Sequence, residues 1–201
     1  MSFPIIIKPR WASGSRGLYQ ANTMEELDEL YQKSLHFILD SPRYKHESEE
    51  DLKSCIIMQE KIEGAVEYGL DILDDFEGNY VTTIAEVKFA MRDGSTNIAE
   101  TVDSKRFENV GKIISKHLRH VGNLDIDCFL DAVSKEPIVI DMNCRFGGHY
   151  CFCHLAGANF PKQIVEWLLG NPTSSENITC KCGIKGIKDE SGIAVPYFDP
   201  K

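Results

Sequence analysis

The 201-residue chain holds no apolar run near the ~20 residues a membrane helix needs, so no membrane partner is expected. Its start, Met1 to Lys8, has three consecutive aliphatics and no basic leader, too little for a signal peptide. Positive charge is scarce: 22 Lys and Arg face 31 Asp and Glu, giving a net charge of −9. Such a surface repels phosphate backbones, so nucleic acid is excluded as the main partner, and any bound anion must be held by a local cluster in a pocket. The seven cysteines are odd in number and lie mostly in apolar text, which predicts a reduced, cytoplasmic protein rather than a disulfide scaffold. Internal repeats and low-complexity segments are absent, as are Gly-x-Gly-x-x-Gly, the Walker Gly-Lys-Ser/Thr ending and Gly-x-Ser-x-Gly.

What is present reads as hairpins interleaved with a few helices, an α+β pattern rather than a doubly wound parallel sheet. Strands are expected at Pro4 to Lys8, Leu18 to Gln20, Ser54 to Gln59, Glu67 to Leu73 and Tyr80 to Met91. Thr23 with Glu26 forms a capping box ahead of a helix from Met24 to Ile38. Residues 40–54 read as a surface connection. Phe107, Val110, Ile113, Ile114, His117, Leu118 and Val121 recur at helical spacing, with Gly122 as the C-cap. The strands Leu124 to Val133 and Pro137 to Asn143 then form a hairpin. A bend at Gly147-Gly148 leads to a short helix over Cys151 to Ala156. A last helix runs from Pro161 to Leu169, with an edge strand near Ile184 to Ile187. The expected organisation is a partial small lobe over 1–60, with a phosphate loop at 8–17, a large lobe over 61–175, and a tail or edge strand over 176–201.

Three pieces carry chemistry. In the second hairpin, alternation puts Ile126, Cys128 and Leu130 on one face and Asp127, Phe129 and Asp131 on the other. With the turn centred on Ser134, Asp127 stands across from Asp141, and Asn143 lies one pleat along, about 7 Å from Asp141. Two carboxylates and an amide converging this way suit a hard divalent cation, although solvent-facing acids give the same pattern. The second piece, Lys8-Pro-Arg-Trp-Ala-Ser-Gly-Ser-Arg-Gly17, joins a strand-end lysine to small residues whose N–H groups can approach an anion, with Arg10 and Arg16 as forked donors. By itself it is also the text of a solvated turn. The third, Gln59-Glu-Lys-Ile62 followed by Gly64 and Glu67, offers a strand-end backbone for an adenine edge and a carboxylate for ribose hydroxyls, or an ordinary β-bend.

In this order the pieces resemble the ATP-grasp superfamily, and within it the ATP-binding domain of the carbamoyl-phosphate synthase large chain and related carboxylate–amine ligases. The text in question is Ile-Ile-Ile-Lys-Pro-Arg-x-x-x-Gly-Ser-Arg-Gly, Gln-Glu-Lys-Ile-Glu-Gly, and Ile-Asp-Met-Asn-Cys-Arg-Phe-Gly-Gly-His-Tyr, spread from Pro4 to about Gly170. The resemblance implies a two-lobed fold holding ATP between antiparallel sheets. It implies Lys8 as the nucleotide-phosphate lysine and Ser13, Gly14, Ser15, Arg16 and Gly17 as the phosphate loop, with Arg16 offsetting charge during transfer. Glu60, Lys61 and Ile62 become the adenine hinge and Glu67 the ribose carboxylate. Asp127, Asp141 and Asn143 become ligands for Mg²⁺ or Mn²⁺, and Arg145 steadies the transferred phosphoryl group.

The sequence departs from the pattern at Cys144, where the family carries proline, and at Asp127 and Asp141, where the nearest relatives often carry Gln or Glu. Because the family places a further domain ahead of the first lysine strand, the chain is expected to be a fragment or one half of a split protein. Its partner would then be the upstream domain of the same or a companion chain, and a homodimer is also allowed. The expected activity is ATP-dependent phosphorylation of a carboxylate or bicarbonate, with small-molecule carboxylates and amines as substrates. A nucleotide-binding module without independent catalysis is the alternative. A thiol or zinc protein built on His149 to His154 and Cys180 to Cys182 is a third class, against which the ligand spacing argues.

Overall fold

The computed structural model describes residues 1–12, 14–42, 49–92 and 94–198. The chain divides into two compact units, Met1–Glu63 and Gly64–Lys201, with the boundary at Glu63 rather than residue 60.

In the first unit, β1 (Ile5–Pro9) lies between β2 (Tyr19–Ala21) and β3 (Ile56–Glu60), both antiparallel to it. Alternation along β1 sends Ile5 and Ile7 into a core with Ala21, which Leu27 and Leu30 of α1 (Met24–Leu39) cover. Thr23 caps α1 by accepting from the Glu26 N–H at 3.4 Å. The Glu26 carboxylate returns to the Asn22 N–H at 2.7 Å rather than to Thr23, so the box closes one residue early. Within the expected surface connection a short helix forms, α2 (Glu49–Lys53), whose Leu52 packs against Ile38 and Cys55.

The second unit is built on seven strands: β4 (Glu67–Asp74), β5 (Tyr80–Arg92), β6 (Ser95–Val102), β7 (Gly122–Leu130), β8 (Pro137–Asn143), β9 (Lys185–Lys188) and β10 (Ala194–Pro196). Their order is β10–β9–β6–β5–β4–β7–β8, and every pairing is antiparallel, as the α+β reading expects. One face of the sheet buries Leu70, Ile72, Ala85, Leu124, Ile126 and Cys128 against Phe107 and α3 (Glu108–Leu118). On the other, α4 (Tyr150–Leu155) and α5 (Phe160–Leu168) close a second core with Leu73 and Ile84, followed by the single turn α6 (Ser175–Ile178). Among the described residues no helix is long and apolar enough to cross a membrane.

Four details differ from the sequence expectation. Strand β6 was hidden by its polar text, Ser-Thr-Asn-Ile-Ala-Glu-Thr-Val, and pairs with β5 from Ser95 to Val102 through two register shifts. Helix α3 ends at Arg119, in the left-handed region at φ 49°, because Gly122 is taken into β7 opposite Asp74. Ile113, Leu118 and Val121 are exposed, and of that stripe Phe107, Val110 and Ile114 reach the core. Strand β7 stops at Leu130, since the Asp131 carboxylate turns the chain by accepting from the N–H groups of Val133 (3.0 Å) and Ser134 (2.6 Å). In the C-terminal segment, β9 lies inside the sheet, and β10 forms the edge.

Candidate active site

Pairing between β7 and β8 sets Asp127 opposite Asp141 and Asp125 opposite Asn143. Strand β4 places Gly69 against Asp127 and Asp71 against Asp125, and β5 places Glu86 against Gly69. Directly paired residues share a face, and so do residues two apart along a strand. Glu67, Asp71, Glu86, Lys88, Asp125, Asp127, Asp141 and Asn143 therefore stand together on the face opposite the α3 core. Six of the eight are carboxylates.

Such a concentration of negative charge is held by three cations. Lys88, buried to 4% exposure, donates to Glu67 Oε1 at 2.8 Å and to Asp127 Oδ1. Burial lowers the pKa of the ammonium, but Asp127 and Glu67 outweigh it and lift the pKa above the usual lysine value. Arg145, just past the end of β8, donates through Nη1 to Asp125 Oδ2 and to the Phe146 carbonyl at 3.2 Å. His149, at the start of α4, meets Asp125 Oδ1 through Nε2. Its Nδ1 faces Glu86 Oε1 at 2.5 Å and Asp71 Oδ2 at 3.4 Å. Burial works against charge on this ring, yet Glu86 and Asp71, with Asp125, raise its pKa well above the ordinary histidine value. At Asp125 burial pushes the carboxyl up, and His149 and Arg145 more than reverse it, leaving it below the usual range. Burial wins at Glu86, whose pKa is raised despite His149.

Two glycines make this packing feasible. A Cβ on Gly69 would stand 2.2 Å from Glu86 Oε1 and 2.8 Å from the His149 ring. One on Gly147 would stand 2.3 Å from Asp125 Oδ1. Any side chain at either position would displace the buried ion pairs.

The donor set on this face suits a hard divalent cation. Asp127, Asp141 and Asn143 offer only oxygens once Asn143 has turned its Nδ2 to Asp141 (3.0 Å) and Asp125 (3.4 Å). Ligand atoms of Asp125, Asp127 and His149 also lie within 4.8 Å of one another, but both Asp125 oxygens are taken by Arg145 and His149, and Asp127 Oδ1 is taken by Lys88. A second close group, Asp71, Glu86 and Cys153, is already engaged: Glu86 by His149 and by the Cys153 thiol at 3.1 Å, and Asp71 by Asn123 at 2.6 Å. Among the described residues neither group includes His154, Cys151, Cys180 or Cys182.

The remaining expected site residues lie in the first unit, apart from Glu67. Lys8 is the penultimate residue of β1, half-buried, opposite Ile57. Gly14, Ser15 and Gly17 all have positive φ (65°, 55° and 71°), a tight turn in which Arg16 is exposed. Ser13 lies outside the described residues. Gly17 is packed so closely that a Cβ would come within 2.7 Å of the Phe37 ring. At the hinge, Glu60 accepts from the Ser2 N–H at 2.5 Å, the Lys61 N–H donates to the Pro4 carbonyl at 2.9 Å, and Ile62 is half-buried. In the second unit Glu67 joins the carboxylate-bearing face through Lys88.

Sequence reasoning missed Asp125, Lys88, Glu86 and Asp71, and named His149 only within the Gly-Gly-His-Tyr text and as a candidate soft metal ligand. Only Asp125 had a local signal: it sits two residues before Asp127 and shares its face by the same alternation.

A family model described as an ATP-grasp domain matches residues 1–153. By sequence, no curated protein matches the chain. Among solved structures it is similar to the biotin carboxylase domain dimer of the *Hydrogenobacter thermophilus* 2-oxoglutarate carboxylase, in complex with MgADP, ADP and bicarbonate. That likeness has a TM-score of 0.70 at 15% identity over 93% of this chain and 41% of that one. It is similar to a *Campylobacter jejuni* biotin carboxylase with a TM-score of 0.67, 15% identity, and coverage of 96% and 44%. For an L-amino acid ligase of *Bacillus licheniformis* the values are 0.60, 17%, 94% and 47%. The chain spans less than half the length of each, and at these identities the likeness is one of fold.

Proposed function

The chain belongs to the ATP-grasp family, and from that premise we propose that it binds ATP with Mg²⁺ or Mn²⁺ and phosphorylates a carboxylate or bicarbonate. The carboxylate oxygen would attack the terminal phosphorus, ADP would leave, and an amine would displace phosphate from the resulting acyl-phosphate. Carbamoyl-phosphate-synthase-like chemistry is the form of this reading in which bicarbonate is the carboxylate. The observation that carries it is the register of β7 and β8, which sets Asp127 against Asp141 with Asn143 following and Arg145 two residues on.

Asp127, Asp141 and Asn143 would hold the cation, which neutralises charge on the nucleotide phosphates when bound. Lys8 and the Gly14 to Gly17 turn, with Arg16, would hold phosphate oxygens through charge-assisted and backbone N–H contacts. Glu60, Lys61 and Ile62 would meet the adenine edge. Glu67 has one oxygen on Lys88, and its other oxygen would accept the ribose hydroxyls. Arg145 would steady the transferred phosphoryl group through the face of its fork turned away from Asp125. The chemistry calls for no side-chain nucleophile. Free cysteines throughout agree with a cytoplasmic setting, where small-molecule carboxylates and amines would be the substrates, and an upstream domain or a second copy of the chain would be the partner.

Calorimetric titration with ATP, with and without Mg²⁺, tests the binding step, and ADP release across a panel of carboxylates and amines tests the chemistry. Absence of Mg²⁺-dependent ATP binding would overturn the reading. Binding without ADP release on any acceptor would make the chain a nucleotide-binding module.

A further inference from the structure

We infer that His149 is a positioning residue for Arg145: through Asp125 it fixes the guanidinium in the orientation that the proposed phosphoryl transfer uses. This rests on the ligase reading above and adds a determinant which that reading does not contain.

The geometry is a carboxylate gripped from both ends of one short loop. Asp125 gives Oδ2 to Arg145 and Oδ1 to His149, residues four apart in the chain. Gly147 lies between them, and a Cβ there would fall 2.3 Å from Asp125 Oδ1 and 2.8 Å from His149 Nε2, so its backbone is pressed onto the contact. The Arg145 side chain is 53% exposed, while Asp125 and His149 are each 4% exposed. An exposed arginine on an exposed carboxylate gains little orientation, because both partners keep their rotamer freedom. Here the carboxylate is anchored below the surface, and one side of the guanidinium is fixed while the rest of the fork faces outward.

His149 is in turn held by its neighbours. Nδ1 faces Glu86 on β5 and Asp71 on β4. The second oxygen of Glu86 accepts from Cys153, and the second oxygen of Asp71 accepts from Asn123, whose Nδ2 also reaches the Arg145 carbonyl at 3.4 Å. Strands β4, β5 and β7 thus set the ring, the ring sets Asp125, and Asp125 sets Arg145.

Two amide substitutions separate positioning from packing. In His149→Gln the side-chain nitrogen falls near the position of Nε2 and still reaches Asp125. In His149→Asn it falls near Nδ1 and does not. Both remove the ring and its charge. The readout is the ratio of affinities for a non-hydrolysable ATP analogue and for ADP, each with Mg²⁺, since only the analogue carries the terminal phosphoryl group. Arg145→Lys is the reference and should lower that ratio about tenfold, because a point charge does not reproduce the fork. His149→Asn should lower it by a comparable factor while ADP affinity stays within about twofold of wild type, and His149→Gln should keep it within about threefold.

Urea midpoints report whether the variants fold. If His149→Asn does not, the nearly isosteric Asp125→Asn cuts the same relay at its middle and should give the same loss. Equal ratios for the Gln and Asn variants, or parallel losses for both nucleotides, would overturn the inference and leave His149 a packing residue. If wild type does not bind Mg²⁺-nucleotide, the ligase reading falls first and this inference with it; if Arg145→Lys leaves the ratio unchanged, the ligase reading stands and this inference falls.

Discussion

The ammonium of Lys88, on β5, reaches across β4 to the carboxylate of Asp127 on β7. It crosses where Gly69 stands opposite Asp127 and offers no side chain. One buried cation thereby ties Glu67 and Asp127 together, on the face where the cation ligands are proposed.

Lys88→Met keeps the aliphatic stem and removes the charge, leaving two partly buried carboxylates to repel each other. Stability should fall by about 3 kcal/mol, the usual scale for breaking one partner of a buried ion pair. Urea unfolding reads this directly. A loss of only a few tenths would show that the pair behaves like a surface salt bridge.

Asp141→Asn should weaken nucleotide binding in the presence of Mg²⁺ and leave metal-free binding nearly unchanged, since a neutral amide is a poorer ligand for a hard cation. The fold should survive, because the change is nearly isosteric and relieves repulsion with Asp127. Equal Mg²⁺ dependence in the variant and wild type would remove Asp141 from the site.

His120 and Asp74 form a second buried pair, with Nε2 3.3 Å from Oδ2. Burial lowers the His120 pKa from its usual value near 6.5, and Asp74 only partly offsets this. Between 6.5 and the lower folded value the unfolded chain binds the extra proton, so stability falls as pH drops through that window. Asp74 acts in the opposite sense at lower pH. Burial raises its pKa from 3.8, so the folded state binds the extra proton between 3.8 and the raised value. His120→Gln should therefore lose less stability than wild type on going from about pH 7.5 to about pH 5.5, measured by urea midpoints. Parallel curves for the two proteins would rule His120 out as the source.

Thiol labelling should divide the seven cysteines by burial. Cys144 and Cys182 are exposed and should react first in native protein. Cys55, Cys128 and Cys153 are buried and should react only after unfolding. Burial, chiefly, pushes the Cys128 thiol up to about 12, so no thiolate is available at neutral pH. Mass mapping of native and unfolded samples reads the order, and early labelling of Cys128 would contradict its placement in the α3-facing core.

The amino-acid sequence by itself determined what depends on neighbours along the chain. The Thr23 cap and the stripe of α1 are local, as is the alternation that makes β1 a buried strand. The hairpin of β7 and β8 is local in its turn, which joins Leu130 to Pro137 and Cys128 to Val139, but only the bulge between Asp127 and Cys128 shifts the register so that Asp127 stands against Asp141. Tertiary structure decided which strands stand beside that hairpin. Lys88, Asp71 and Glu86 lie 39 or more positions before Asp127, and only the order β5–β4–β7 brings them to the same face. Likewise Gly122 reads as a helix end until its pairing with Asp74 draws it into β7 and leaves that role to Arg119. The physical reason is common to both cases. Periodicity encodes the face on which a side chain stands, whereas the residues it meets there follow from non-local strand pairing. That pairing is selected by burial summed over the whole sheet.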